Sequence, residues 1–184
     1  MFTLDLSTYP NIVLLSQRVK EFKKDNEETF HFTLNWAGLF QEGIPISIET
    51  WKLRPDADWA GIHQDGEITI RTFGKRGNSQ FHRGGIVGTI YHEFFHYLQW
   101  YGCMAECGDW FWDTHHTEQK KLYDCWSESF EGFYAGSFPW EAAAEVYRVI
   151  SGYTSAEAWE KNQSLKKDYL RFFQGNEMIK HFVK

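Results

Sequence analysis

The sequence has 184 residues, of which 42% are hydrophobic and 18% aromatic, so it can bury a core without disulfides, and we expect a single domain over residues 1–184. Its 19 basic and 25 acidic side chains give a formal net charge of −6, which argues against nucleic acid or an anionic membrane surface as partners. It shows neither a cleavable leader pattern nor an apolar stretch of membrane-spanning length, so we expect a cytoplasmic protein.

The first half of the sequence predicts one helix and then a small sheet. Residues 10–24 begin with a proline and place apolar residues at helical spacing, which indicates an amphipathic helix. Residues 30–36, 44–50 and 67–73 alternate apolar and polar side chains, as half-buried strands do. Because proline lacks the N–H that a central strand donates, Pro45 predicts that the second strand begins at a sheet edge.

The second half of the sequence predicts helices. Residues 83–101 contain no proline and place large apolar side chains at fourfold spacing on one face, which predicts a central helix. Residues 102–117 are aromatic and are predicted to be irregular. Three further helical segments are separated by glycine or proline: residues 118–133, 139–150 and 156–173. Strands grouped before helices favour an α+β fold with a small mixed or antiparallel sheet.

The central helix contains the pattern His-Glu-x-x-His at residues 92–96. Four residues along an α-helix advance about 6 Å and turn roughly 40° beyond one full turn, so His92 and His96 project from one face at a spacing that a single Zn²⁺ can bridge. Glu93 lies beside that face, where its carboxylate can take a proton from the attacking water and pass it to the leaving amine. These residues predict a catalytic zinc ion with Glu93 as general base.

The surroundings of this pattern favour a metal site over histidines that only fill a core. The central helix is apolar on nearly every side, so His92, Glu93 and His96 are predicted to be largely buried. Burying such groups without partners costs several kcal/mol, which a cation bound by the two imidazoles offsets. Gly84 and Gly88 lie on the same face as the two histidines and leave room for another backbone to approach.

A catalytic zinc ion usually has three protein ligands and a position for water, so a third ligand is required. The metzincin pattern places it six residues after His96, but position 102 is glycine and position 99 is glutamine, which excludes that class. Glu141 and Glu145 lie four residues apart on one face of a predicted helix whose first turn contains Pro139. The other candidates for the third ligand are Asp113, His115, His116, Glu128 and Glu131.

The His-Glu-x-x-His pattern and the downstream pair of glutamates resemble the gluzincin metallopeptidases, and among them the compact single-domain zincins. The resemblance covers residues 66–100 and 139–148, about a quarter of the chain. It implies a zincin-like fold around an active-site helix, with Glu141 as the third zinc ligand and Glu145 supporting His92. Thermolysin-like proteins have aspartate at the latter position, so a glutamate there departs from their pattern.

The resemblance also implies a substrate and a place for it. Strand 67–73 is similar to the edge strand of gluzincins, along which an extended peptide pairs. The expected function is therefore hydrolysis of peptide bonds in a peptide or protein substrate, with Zn²⁺ as cofactor. Two alternatives stay open: a catalytically inactive zincin scaffold that binds a peptide or partner protein, and a zinc hydrolase of a non-peptide amide or ester. The oligomeric state is not determined.

Residues downstream of the motif helix offer further functional groups. A hydrogen-bond donor to the oxyanion of the tetrahedral intermediate is expected among His115, His116, Tyr123, Tyr134 and Tyr147. An aromatic cluster is expected to contribute to the core or to a substrate pocket: Trp100, Tyr101, Trp110, Phe111 and Trp112. The three cysteines, Cys103, Cys107 and Cys125, show no disulfide spacing, which suits a reducing compartment.

Overall fold

The chain divides into two compact units, Met1–Glu93 and Phe94–Lys184. The computed structural model describes residues 2–6, 29–36, 44–50, 61–72, 85–106, 109–155, 157–176 and 179–183. The predicted helix over residues 10–24 lies outside these ranges. Strands precede helices along the chain, which confirms the α+β class. Within the described ranges, no helix combines the length and apolar character required to span a membrane.

The first unit contains a five-stranded mixed sheet. Its strands are β1 (Phe2–Leu6), β2 (Thr29–Trp36), β3 (Ile44–Thr50), β4 (Gly61–Gln64) and β5 (Glu67–Thr72). Their order across the sheet is β1-β2-β3-β5-β4. The pairs β1–β2 and β3–β5 are parallel, and the pairs β2–β3 and β4–β5 are antiparallel. The three strands predicted from alternation are therefore confirmed as β2, β3 and β5.

Isoleucines from β3 and β5 form the buried face of the sheet. Ile46 pairs in register with Ile68. Both residues, together with Ile44 and Ile70, are at most 1% exposed. Because successive side chains of a strand point to opposite faces, isoleucines two residues apart lie on one face, and that face excludes water.

Two predictions about sheet edges are wrong. The predicted edge strand at residues 67–73 is interior, because β5 lies between β3 and β4. A hairpin turn at Asp65 and Gly66, with φ of 50° and 83°, folds β4 back along β5, so that β4 forms the edge. Pro45 also lies in an interior strand. Its missing N–H is tolerated there because pairing between β3 and β5 begins only at Ile46.

In the described part of the chain, four α-helices follow the sheet. They are α1 (Gly85–Glu106), α2 (Asp109–Phe130), α3 (Pro139–Ile150) and α4 (Gln163–Gly175). The predicted central helix is confirmed as α1, and α3 has the predicted bounds because Pro139 occupies its first turn.

Several predicted boundaries of the helices are wrong, including the end of the helix predicted over residues 118–133, because α2 ends at Phe130. Residues 102–106 and 109–117 are helical rather than irregular, because α1 and α2 extend into this segment. A glycine within a helix costs only about 1 kcal/mol relative to alanine, so Gly102 does not end α1. The predicted helix over residues 156–173 is interrupted, since a 3-10 turn at Ala158–Lys161 precedes α4. The side chain of Asn162 accepts a hydrogen bond from the Leu165 N–H and so caps α4 at its observed start.

Aromatic rings from all four helices form the core of the second unit. Phe95 of α1 packs against Tyr147 of α3 and Phe173 of α4, with ring centroids 5.0 Å and 5.2 Å away. Phe130 of α2 lies 6.1 Å from Tyr169 of α4. All five residues are fully buried. This packing joins the part of α1 that follows Glu93 to α3, and these are the segments that carry His96 and Glu141.

Candidate metal centre

The His-Glu-x-x-His pattern lies on the continuous helix α1. His92 and Glu93 are 5% and 6% exposed, which agrees with the burial predicted from the apolar surroundings of the pattern. The His96 side chain is 16% exposed and so keeps limited access to solvent. Since four residues separate the two histidines, their imidazoles project from the same face of the helix.

Glu141 lies in the first turn of α3. A carboxylate is stabilised at this end of a helix by the unpaired N–H groups and the helix dipole. Its side chain is 16% exposed, whereas the three alanines that follow, Ala142–Ala144, are fully buried. Within the first turn of α3, Glu141 is therefore the residue able to offer a charged ligand atom.

Nε2 of His96 lies 3.3 Å from Oε2 of Glu141, although 45 positions separate the two residues. His92, His96 and Glu141 each offer one ligand atom, and these atoms lie within 4.8 Å of one another. Two imidazoles and a carboxylate form the ligand set of known catalytic zinc sites, whose bonds are about 2.0–2.2 Å long. A tetrahedral ion with such bonds holds its ligand atoms about 3.4 Å apart. The three side chains could therefore hold a metal ion, and their donor atoms are of the kind that zinc accepts.

Gly61, the first residue of the edge strand β4, lies directly against Glu93. A methyl group at Gly61 would be 2.8 Å from both Cγ and Oε1 of Glu93, and 2.8 Å from Cγ2 of Thr89. Glycine thus allows the strand to pass this close to the carboxylate. The sequence pattern does not distinguish Gly61, because a glycine in a short polar segment is equally typical of a loop.

The second ring nitrogen of His96 also has a partner. Nδ1 lies 2.8 Å from Oε1 of Gln99, and Nε2 of Gln99 donates to Oε1 of Gln119 at 3.1 Å. Both glutamines are buried, at 7% and 3% exposed. Helical spacing could have identified Gln99, which lies three residues after His96 and on its face. No sequence signal connects Gln119 to the site.

Glu145 lies one turn after Glu141 and is 4% exposed. Its Oε1 accepts a hydrogen bond of 2.9 Å from Nη1 of Arg148, and Nη2 of Arg148 donates to the Thr154 carbonyl at 2.8 Å. The burial of this carboxylate is therefore accompanied by an ion pair within α3. The predicted role of Glu145 in supporting His92 stays a prediction.

The remaining candidates for the third ligand are either exposed residues beside a different groove or residues whose side chains the structure does not describe. Glu128 and Glu131 are exposed and line an open groove beside the turn at Gly132. The side chains of Asp113, His115 and His116 are not among those the structure describes. Of the residues whose side chains are described, His92, His96 and Glu141 form the one group of three or more that could hold a metal ion.

The tyrosines predicted as oxyanion donors occupy different environments. The Tyr123 hydroxyl donates to the Gly136 carbonyl at 2.7 Å, Tyr134 is 55% exposed, and Tyr147 belongs to the aromatic core. The donor role stays a prediction for all of them and for the two histidines. The aromatic side chains at positions 100, 101 and 110–112 and the thiols of Cys103 and Cys107 lie outside the described residues, whereas Cys125 is a free, exposed thiol.

The sequence matches no protein family and no curated protein, and no solved structure matches the fold. Only the residues of the site therefore indicate what it can do. They are two imidazoles one helical turn apart and a carboxylate from a second helix.

Proposed function

We propose that this protein is a zinc-dependent peptidase of zincin-like fold, with His92, His96 and Glu141 as metal ligands and Glu93 as general base. The observation that supports the proposal most directly is the 3.3 Å approach of Nε2 of His96 to Oε2 of Glu141. The motif alone specifies both histidines, but a third ligand at a different place in the fold is what a catalytic zinc site requires. Zinc bound by these residues would polarise the scissile carbonyl and acidify a water molecule.

Glu93 is suited to the proton transfers of the reaction. It follows His92 directly on α1, is only 6% exposed, and has its Oε1 beside the backbone of Gly61. A carboxylate in this position takes the proton from the attacking water and then delivers it to the leaving amine. The low exposure of Glu93 limits competing exchange of that proton with bulk water.

The position of β4 supports a peptide as substrate. β4 is an edge of the sheet, and its first residue lies against Glu93. The free edge of a strand can pair with an extended peptide through main-chain hydrogen bonds. A peptide paired along β4 would bring one of its amide bonds close to the carboxylate. In this proposal β4, rather than residues 67–73, is the edge strand along which the peptide substrate pairs.

Metal content and proteolysis test the proposal together. Protein purified without added metal is analysed by mass spectrometry of its elements and incubated with casein, before and after treatment with a zinc chelator. We expect one zinc ion per chain, casein fragments, and loss of cleavage that added zinc restores. Zinc without cleavage of casein or of a peptide library would instead support a binding scaffold. Cleavage of aryl amides or esters alone would support a non-peptide hydrolase.

A further inference from the structure

The two glutamines behind His96 form a directed hydrogen-bond chain. Gln99 uses its amide nitrogen to donate to Oε1 of Gln119 at 3.1 Å, which leaves its oxygen facing Nδ1 of His96 at 2.8 Å. An amide side chain can rotate to exchange its oxygen and nitrogen, but in the observed orientation each group faces a partner of the opposite kind. The contact with Gln119 is therefore consistent with the orientation in which the oxygen of Gln99 faces the imidazole.

The direction of this chain determines where His96 carries its proton. A carbonyl oxygen only accepts, so Nδ1 must be the protonated nitrogen that donates to Gln99. A neutral imidazole protonated at Nδ1 has its lone pair on Nε2. When zinc is bound, the lone pair would be on Nε2, the atom that lies 3.3 Å from Oε2 of Glu141 and is proposed to bind the ion.

We propose that Gln99 is a positioning residue that holds His96 in its metal-binding tautomer, and that Gln119 acts through Gln99 by fixing the direction of its amide. This inference rests on the proposed zinc site. Hydrogen bonds from the second nitrogen of a metal-bound histidine orient the ring and raise its basicity, and their loss typically lowers metal affinity about 10- to 100-fold. The burial of both glutamines keeps water from replacing either contact.

Zinc affinity, measured by competition with a chromogenic chelator, tests the role of Gln99. Gln99→Leu removes the acceptor, and we expect affinity to fall by about 10- to 100-fold. Gln99→Glu keeps an acceptor of the same length, and we expect it to retain zinc affinity within a few-fold. Gln174→Leu, the same exchange at an exposed position of α4, is the matched control. Circular dichroism and the Tm of each variant verify that it folds.

The part played by Gln119 is tested by a double-mutant cycle. Gln119→Leu is expected to weaken zinc binding when residue 99 is glutamine, because the amide can then turn its donor toward Nδ1. The same exchange is expected to have little effect on the Gln99→Glu variant, since both ends of a carboxylate accept. Equal effects of Gln119→Leu in the two backgrounds would overturn this part of the proposal.

A second measurement separates failure of this proposal from failure of the proposed function. Nitrogen NMR of a zinc-free Glu141→Ala variant, in which the Glu141 carboxylate no longer accepts from Nε2, reports the tautomer of His96, assigned with a His96→Gln variant, and needs neither metal nor activity. In this background we expect the Nδ1-protonated form when residue 99 is glutamine and a redistribution toward Nε2 when Gln99→Leu is added. If the zinc-free Glu141→Ala variant has one tautomer with and without Gln99→Leu, or if wild type and Gln99→Leu bind zinc equally well, Gln99 does not position His96. Absence of zinc from the wild type with the expected tautomers would refute the metal site alone.

Discussion

The rings of Phe95 and Tyr147 pack 5.0 Å apart and connect the two helices that carry His96 and Glu141. Phe95 immediately precedes His96 on α1, and Tyr147 lies on α3, the helix that begins with Glu141 in its first turn. Both rings are fully buried. The distance between His96 and Glu141 thus depends on a core contact that neither residue makes itself.

Phe95→Ala should lower both stability and zinc affinity. Truncating a buried phenylalanine typically costs about 3–5 kcal/mol of unfolding free energy, because it removes apolar contacts and leaves a cavity. The helices then lose part of the packing that holds His96 near Glu141. Urea denaturation and chelator competition measure the two effects. Phe172→Ala, at a half-buried position of α4, should cost less stability and leave zinc binding unchanged; a similar loss of zinc affinity in that control would contradict the argument.

Glu93→Gln should retain zinc and lose turnover. The amide keeps the size of the side chain but cannot take a proton from water, and general-base catalysis contributes about 10²- to 10⁴-fold to rate. Metal content and cleavage of a fluorogenic peptide are measured on the same preparation. Undiminished cleavage would show that Glu93 is not the base, whereas loss of zinc together with activity would assign it a structural role.

Glu141→Gln should weaken zinc binding by more than about 100-fold, which exceeds the effect expected from losing an outer hydrogen bond. The amide oxygen carries no charge to replace that of the carboxylate. Glu128→Gln is the matched control, since Glu128 is an exposed glutamate of α2 and another candidate for the third ligand. If the Glu128 variant loses zinc and the Glu141 variant keeps it, the assignment of the third ligand is wrong.

Gly61→Ala should reduce turnover while leaving zinc in place. The added methyl group would lie 2.8 Å from Oε1 of Glu93, so either the strand or the carboxylate must move. Overpacking of this kind typically costs about 1–3 kcal/mol of stability. Gly175→Ala is the control, because a methyl group there meets nothing within 4 Å. Peptidase kinetics and thermal unfolding compare the two; full activity of the Gly61 variant would show that its backbone does not constrain Glu93.

Elements with strong local signals could be predicted from the sequence. The alternation of apolar and polar residues located β2, β3 and β5, and Pro139 located the start of α3. β1 and β4 were not predicted. β4 is only four residues long and has Ile62 as its one aliphatic side chain, so its pairing with β5 through the turn at Gly66 is what makes it a strand.

For the candidate site, the sequence by itself predicted the two histidines and the proposed base, because the 3.6-residue period of a helix places residues four apart on one face. The sequence limited the candidates for the third ligand to several acidic residues and histidines. It could not show which of them lies near the two histidines of α1. Tertiary structure decided that Glu141 lies beside His96, that Gly61 lies against Glu93, and that Gln99 donates a hydrogen bond to Gln119. Those relationships join residues distant in sequence, and the packing of whole helices and strands, rather than local periodicity, determines them.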